Sequence, residues 1–417
     1  MSFSTLSEWL AFISSIHTTE MDLSLERVTQ VAERLSLLSP SCPVIMVGGT
    51  NGKGSTVRGL ESIYTAAGYK VGVFTSPFLF RFNEQIRIQE QEAKDDEICS
   101  AFAEINESRG AITLTPFEFH TLAALAIFKR HNLDLWVLEV GLGGRLDAVN
   151  IIGADVAIVT TVAIDHTDYL GDDREDIGWE KAGIFQANKP AICGDFNPPN
   201  ALIAYAKKIG AQSFYQGTDF RYVEGTSNWS WQWQDKIYND LPLAMLATQN
   251  MSTVLMAVTL LQQQLTVPRK ALNHGLAKAI LTGRQEVLTG PITQIYDVSH
   301  NPASVAFLAK RLSQLPCSGK TYAVFSMLND KDIESSLQEI KDSIEHWYIG
   351  PIVNKRGASL EVLRTIFQKV EIGAADFFPT LPAAHQAVLQ VAKPGDRVVV
   401  FGSFHTVSEL KLAFPPP

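Results

Sequence analysis

A chain of 417 residues, 46% hydrophobic and 19% charged, can bury a sizeable core and is longer than one ordinary domain, which points to two or three. A formal charge of −9 and the lack of any Lys/Arg-rich run argue against a nucleic-acid partner on a basic face and leave small molecules as the expected ligands. No stretch approaches the ~18 uncharged apolar residues of a membrane span, the N-terminus has no basic start or cleavage pattern, and Cys42, Cys99, Cys193 and Cys317 are scattered without a CxxC pair. The expectation is a cytoplasmic protein with buried, reduced thiols and neither a disulfide framework nor a structural zinc site.

Along the chain, apolar runs suited to buried strands alternate with stretches of helical period, the mark of an α/β protein with a mainly parallel sheet. Strands are predicted over 44–47, 71–75, 135–140, 156–160 and 190–193, and helices over 23–38, 55–67, 95–108, 117–131, 172–185 and 246–265. Residues 219–241 differ: the run DFRYVEGTSNWSWQWQDKIYNDL is aromatic and alternating, as antiparallel hairpins are, and reads as a small accessory element. After Leu281-Thr282-Gly283-Arg284 the pattern restarts, with strands over 292–297, 322–325, 346–349 and 397–401 and helices between them. The expected architecture is an N-terminal P-loop-type domain over 1–287, mainly parallel, helix-flanked and carrying the accessory element, followed by a smaller C-terminal Rossmann-like α/β domain over 288–417. Pro415-Pro416-Pro417 reads as a terminal tail.

The run VGGTNGKGST, 47–56, joins the first strand to the helix after it. It departs from the GxxxxGK[ST] phosphate loop twice, because three residues separate Gly48 from Gly52 and Gly54 stands between Lys53 and Ser55. Gly48, Gly49, Gly52 and Gly54 tolerate positive φ and let backbone N–H groups approach an anion, while the helix N-terminus adds its positive dipole end. Lys53 supplies a point charge for β- or γ-phosphate oxygens, and Ser55 or Thr56 a hydroxyl for phosphate or metal. The plain alternative is a glycine-rich turn with no ligand. A lysine inside a strand-loop-helix favours a nucleoside triphosphate, with Thr50, Asn51, Gly52, Lys53, Gly54, Ser55 and Thr56 as its cradle.

A triphosphate calls for a hard cation, and three candidate ligands stand at predicted strand ends: Ser76 in FTSPF, Glu139 in VLEVGLGGRLD and His166 in AIDHTDYLG. In a parallel sheet these edges lie on the side where the loop opens, so the three can converge on Mg²⁺. Each also has a bland reading. Ser76 can shape a turn before Pro77, Glu139 can pair with Arg145, and His166 can be an ordinary loop histidine.

The motifs GTNGKGS, TSPF, EVGLGGRLDAVN, DHTDYLG with EKAGIF, and DVSHNP, in this order and spacing over nearly the whole chain, resemble the folylpolyglutamate synthase family of the Mur ligase superfamily. The extra glycine of the loop resembles that superfamily's own form of the motif. The resemblance implies an ATP-dependent amide ligase that joins L-glutamate to a carboxylate, with dihydropteroate and then reduced folates as acceptors and an acyl phosphate between. It implies catalytic roles for Lys53, Lys181, His166 and Glu139, and Mg²⁺, two ions, on Ser76, Glu139, His166 and a Lys181 carbamylated by CO₂. Without the family, Lys181 would read as an exposed helix lysine paired with Glu180 or Glu175.

By the same resemblance Asn250 contacts adenine, Arg284 reaches phosphate, Asp297 takes the ribose, and His300 with Asn301 lines the same cleft. Thr282 stands where the family usually has proline. The segment MDLSLERV, 21–28, resembles the family's mobile pterin-binding loop, so Asp22, Leu23, Ser24 and Leu25 join Thr115, Pro116, Phe117 and Glu118 and also Leu146, Asp147 and Ala148 in an acceptor pocket. Phe117 offers a flat face for a pterin and Asp147 an acceptor for its amino-pyrimidine edge. Equally, Leu23, Leu25 and Phe117 can be core residues and Asp147 a partner of Arg145. His300, Ser403 and His405 are the candidates for holding the incoming glutamate. Two other functions stay open: polyglutamylation of folates alone, and a nucleotide-sensing switch without ligation. A monomer without nucleic-acid or membrane partners is expected.

Overall fold

The computed structural model describes residues 3–19 and 22–415; Met21, which opens the candidate acceptor segment, and Pro416 and Pro417 of the tail lie outside the described residues. The chain forms two compact units, Met1–Ala279 and Ile280–Pro417.

The first unit begins with α1 (Leu6–Ile13), set by a Thr5–Glu8 capping box, and α2 (Glu26–Arg34). Helix α2 starts at Glu26 rather than at 23, because Arg27 turns back to hold the Asp22 carbonyl and carboxylate and residues 22–25 stay non-helical. There follow β1 (Val44–Gly48), α3 (Lys53–Ala66), β2 (Val71–Phe74), β3 (Ile86–Ile88), β4 (Gln91–Glu92), α4 (Asp95–Arg109), α5 (Pro116–Arg130), β5 (Leu135–Glu139) and β6 (Val156–Val159). Next come α6 (Thr167–Leu170), α7 (Arg174–Ala182), β7 (Pro190–Cys193), α8 (Asn200–Ile209) and β8 (Gln212–Tyr215). The accessory meander is β9 (Phe220–Glu224), β10 (Asn228–Trp233) and β11 (Lys236–Pro242), and α9 (Thr248–Leu260) and α10 (Arg269–Lys278) close the unit.

Its main sheet runs β4-β3-β2-β5-β1-β6-β7-β8, parallel from β2 to β8, with β3 and β4 added antiparallel. Strands β1, β2, β5 and β6 are buried at every position, as expected of parallel strands that read as unbroken apolar runs. The chain leaves β1 for β2, returns to β5 beside β1, and then crosses to β6 on the other flank. The carboxyl ends of β5, β1 and β6 therefore sit side by side at the point where ligands bind in such sheets. The aromatic run 219–241 forms the separate antiparallel sheet β11-β10-β9, with Trp229 and Trp231 fully buried.

The second unit holds β12 (Glu286–Leu288), β13 (Thr293–Asp297), α11 (Pro302–Gln314), β14 (Thr321–Phe325), α12 (Ile333–Gln338), β15 (His346–Ile349), α13 (Leu360–Lys369), β16 (Ala375–Phe377), α14 (Leu381–Val391), β17 (Arg397–Phe401) and α15 (Phe404–Ala413). The sheet order is β12-β13-β17-β14-β15-β16, parallel except for β12. The division falls at 279/280 and not at 287/288, because β12 pairs antiparallel with β13 and so ties Arg284 and the residues around it to the second unit. Of the four cysteines only Cys193 is buried; Cys42, Cys99 and Cys317 are half-buried, which corrects the expectation that all would be inside.

Candidate functional site

Strand β1 ends at Gly48, and residues 49–52 turn the chain into α3. Two glycines are required by contact. A Cβ on Gly49 (φ 138°) would stand 1.9 Å from Thr160 Oγ1, and one on Gly52 (φ 87°) 2.6 Å from Asn250 Oδ1. The segment after β6 staples the loop: the Thr50 amide donates to Thr161 O at 2.7 Å, the Asn51 amide to Thr161 Oγ1 at 3.1 Å, and Thr160 Oγ1 to Asn51 O at 2.7 Å. Lys53 curls back, its Nζ donating to Gly49 O at 3.1 Å and Thr50 O at 3.4 Å. Ser55 and Thr56 are buried in the first turn of α3 next to Gly54, and the Thr56 hydroxyl makes no hydrogen bond. Asn250, in the first turn of α9, is thus packed on the loop. Thr160 and Thr161 were missed, since a threonine pair after a strand carries no signal of its own.

Beside the loop, Glu139 closes β5 and is 3% exposed, and the Thr75 hydroxyl donates to it. Ser76 follows Thr75 and joins Pro77 by a cis peptide. His166 caps α6 at φ 53°, with its side chain 41% exposed and 4.0 Å from Asp165 Oδ1. Lys181, in the last turn of α7, is 3% exposed. Burial first, then repulsion from Lys53, drives its amine down to about 7 against the pull of Asp165, Asp147 and Glu180. The exposed, ion-paired lysine is ruled out: Glu180 takes Arg145 at 2.8 Å, and Glu175 accepts from the amides of Asn200 and Ala201. The same Arg145–Glu180 pair removes the readings that gave Arg145 to Glu139 or Asp147. Among the described residues no group of three or more His, Cys, Asp or Glu side chains is placed to hold a metal, so a cation here would draw on mixed donors.

The acceptor candidates also gather. Thr115 and Glu118 cap α5 reciprocally, with Pro116 in its first turn, so TPFE has a local structural reason. Burial raises the Glu118 pKa although the Thr115 amide and Arg27 oppose it. Phe117 packs on Gly141, where a Cβ would lie 2.6 Å from its Cζ, and sits 5.8 Å from Phe74. Asp147, 4% exposed, accepts from the amides of Leu142 (2.8 Å) and Val149 (3.0 Å) and caps the short turn Ala148–Ile151. Its burial pushes its pKa up to about 6, with those amides and Lys53 pulling the other way. Leu146 is half-buried beside it, as are Leu23, Ser24 and Leu25, while Asp22 is exposed and pairs with Arg27 at 2.7 Å.

In the second unit the Arg284 guanidinium lies over the Phe404 ring at 5.2 Å, and the His300 ring is 6.1 Å from it, so Phe404, which sequence reasoning missed, gathers both. Asp297, 4% exposed, takes the amides of Gln285 (2.9 Å) and Ser299 (2.8 Å) and the Ser299 hydroxyl. Asn301 caps α11, and Ser403 caps α15 with its Oγ 2.9 Å from Thr406 Oγ1. His405 is exposed, its Nε2 3.3 Å from Asn354 Nδ2.

A glycine-rich lysine loop at the switch point of a parallel sheet, ahead of a Rossmann-like unit, defines a nucleotide-dependent ligase of the Mur type: residues 47–261 match the Mur ligase middle domain and 283–404 the Mur ligase glutamate ligase domain. The chain is 44% identical over 407 residues to the dihydrofolate synthase/folylpolyglutamate synthase of Escherichia coli K12, covering 98% of this chain and 95% of that protein. It belongs to the dihydrofolate synthase/folylpolyglutamate synthase family. The structure of E. coli FolC in complex with DHPP and ADP superposes with a TM-score of 0.94 at 43% identity, over 98% of this chain and 97% of that one. A bifunctional folylpolyglutamate synthase/dihydrofolate synthase with Mn, AMPPNP and L-glutamate bound gives a TM-score of 0.92 at 42% identity, over 98% of each chain.

Proposed function

We propose that the protein is an ATP-dependent ligase that adds L-glutamate to 7,8-dihydropteroate, giving dihydrofolate, and to reduced folates, giving folylpolyglutamates. The observation that carries this reading is the glycine-rich lysine loop stapled to the end of β6, with the buried Glu139 closing the neighbouring β5. The family, and the DHPP, ADP, Mn and L-glutamate named with its solved members, support the choice of substrates.

A carboxylate is a poor acyl donor. In the first step a carboxylate oxygen of the acceptor attacks the γ-phosphorus of ATP, the bond to the β–γ bridging oxygen breaks, and ADP leaves. In the second, the glutamate amine attacks the acyl carbon, a C–N bond forms, the C–O bond to phosphate breaks with its electron pair, and the nitrogen sheds a proton. Catalysis of such transfer is mostly positioning and charge neutralisation. The loop 50–56 holds the phosphates, with Lys53 drawn from Gly49 O and Thr50 O to the β- and γ-oxygens, and the unpartnered Thr56 hydroxyl supplies a further donor. Asn250 borders the adenine side, Arg284 bonds phosphate, Asp297 takes ribose hydroxyls, and His300 with Ser403 holds glutamate.

The donor set fits a hard cation in its oxygens: the buried Glu139 carboxylate, the Ser76 hydroxyl, and a carbamate on Lys181, with His166 as the one nitrogen. Bound there, Mg²⁺ would neutralise charge on the transferring phosphoryl group. The Lys181 nitrogen, unprotonated in part near neutral pH, attacks CO₂ and releases a proton to give that carbamate. Residues 22–25, 115–118 and 146–148 hold the pterin. The first unit serves as the ATP and pterin domain and the second as the glutamate-ligase domain, in a monomer of the cytoplasm; no helix among the described residues is long and apolar enough to cross a membrane.

The test is ADP release by the purified protein with MgATP and L-glutamate, comparing 7,8-dihydropteroate, tetrahydrofolate and no acceptor, with products weighed by mass spectrometry. One added glutamate on each acceptor is expected. Turnover with tetrahydrofolate alone would remove the pterin assignment, and acceptor-independent hydrolysis without amide would leave a nucleotide switch.

A further inference from the structure

A polar circuit closes around segment 22–25, which is exposed at Asp22 and half-buried at Leu23, Ser24 and Leu25. Thr113 Oγ1 is hydrogen-bonded to His17 Nδ1 at 3.0 Å, and His17 Nε2 lies 3.4 Å from Asp22 Oδ2. Arg27 Nη1 donates to Asp22 Oδ2 at 2.7 Å, and Arg27 Nη2 donates both to Asp22 O at 3.2 Å and to Glu118 Oε1 at 3.1 Å. Glu118 in turn accepts from the Thr115 amide at 2.7 Å within the cap of α5. One guanidinium therefore bridges two carboxylates, one on the segment and one on the helix cap, and His17, itself held by Thr113, meets the same Asp22 oxygen. The Glu118 side chain is only 4% exposed, against 39% for Asp22, so the fixed end of the bridge is on α5 and the free end is on the segment. A planar fork suits this task in a way that a single ammonium does not.

We propose that Arg27 is a positioning residue that clasps segment 22–25 against the cap of α5 and so holds the acceptor pocket in its pterin-binding shape, with His17 as the second anchor. This rests on the reading above in which 22–25 and 115–118 receive the pterin. The clasp runs through Thr113, His17, Asp22, Arg27 and Glu118. Its loss should weaken recruitment of the pterin acceptor and spare the chemical steps.

The experiment is steady-state kinetics with 7,8-dihydropteroate as varied acceptor for the full-length protein and for Arg27→Gln, Arg27→Lys and His17→Phe, each with its melting temperature. Arg27→Gln should raise KM for dihydropteroate about tenfold, equivalent to about 1.4 kcal/mol, with kcat changed less than about twofold. Arg27→Lys should recover part of the loss, because an ammonium can still meet one carboxylate, and His17→Phe should raise KM about threefold. An unchanged KM in Arg27→Gln, or a fall in kcat that follows a lowered melting temperature with no KM effect, overturns the clasp. A native protein that does not turn over dihydropteroate overturns the pterin reading and the clasp together. That outcome is distinct from a native protein that is active and an Arg27→Gln variant that behaves like it.

Discussion

Gly52 shows how one residue can be fixed by two independent demands. Its φ of 87° is costly for any side chain, and a Cβ there would meet Asn250 Oδ1 at 2.6 Å. Gly52→Ala is expected to lower stability by about 2 kcal/mol. In an Asn250→Ala background the steric part disappears and the cost should drop to about 1 kcal/mol, the backbone part. Urea denaturation of the four proteins of this cycle measures the coupling, and strict additivity would mean that the contact is not what fixes the glycine. Lys181 poses a chemical demand. At its value of about 7 roughly half the amine is unprotonated near pH 7, whereas an ordinary lysine would be so in on the order of one part in a thousand. Because its pKa is lower folded than unfolded, the unmodified residue adds stability as pH rises from 7 toward 10.5 and loses that stability as pH falls through 7. Carbamylation should follow the same direction. Activity should drop in CO₂-free buffer and return with bicarbonate, less completely as pH falls below 7, and Lys181→Met should lose about a hundredfold or more in kcat. Bicarbonate-insensitive turnover with no ¹³C carbamate signal would dismiss the modification. The sequence could place Lys181 only by the family's EKAGI pattern, since its burial depends on how α7 meets the loop.

Helix α14 carries a second buried titratable group. His385 is 1% exposed, its Nε2 is 3.2 Å from Gln294 Oε1, its Nδ1 has no partner, and its ring packs 4.7 Å from Phe414. Burial drives its pKa down to about 4. The folded value lies below the unfolded one, so the neutral ring contributes stability that is complete above about 6.5 and is lost as pH falls toward 4. The native protein should therefore lose stability across that window by up to about 1.4 kcal/mol per pH unit more than His385→Phe does, in denaturation midpoints measured from pH 7 to 4. Parallel slopes for the two proteins would show that the buried imidazole takes up its proton at the same pH as in the unfolded chain. Among elements, the strands that the sequence revealed are the buried central ones, β1, β2, β5, β6, β7, β13, β14, β15 and β17, because unbroken apolar runs are legible without a partner. The short strands at or next to the sheet edges, β3, β4, β8, β12 and β16, and the helices α1, α6, α8, α10 and α15, escaped, because an edge or an amphipathic helix is half polar and is fixed by what it packs against.

At the scale of the molecule, the two units have separate cores. One is built around Phe74, Phe102 and Leu138 and the other around Phe325, Trp347 and Phe401. Trp347 stands in the second unit and the other six of the seven tryptophans in the first. The fluorescence of Trp347→Phe therefore reports the first unit alone, and its difference from the native protein reports the second. We expect the two signals to have different midpoints in urea, as separate cores allow; a single shared transition would show them to unfold as one.

The sequence by itself determined the fold class, the glycine-rich lysine loop between β1 and α3, the accessory hairpins and, through its motifs, the family. The first three are carried by short-range features, apolar period and glycine positions, which act before any tertiary contact forms; the family was legible only as a resemblance of motifs. Only the tertiary structure decided that Arg145 belongs to Glu180, that Lys181 is buried beside Lys53, that Thr160 and Thr161 staple the loop, and that Arg27 joins Asp22 to Glu118. The reason is physical. A charged side chain several bonds from the backbone takes whichever partner the packing of distant segments brings within about 3 Å, and no spacing along the chain records that choice.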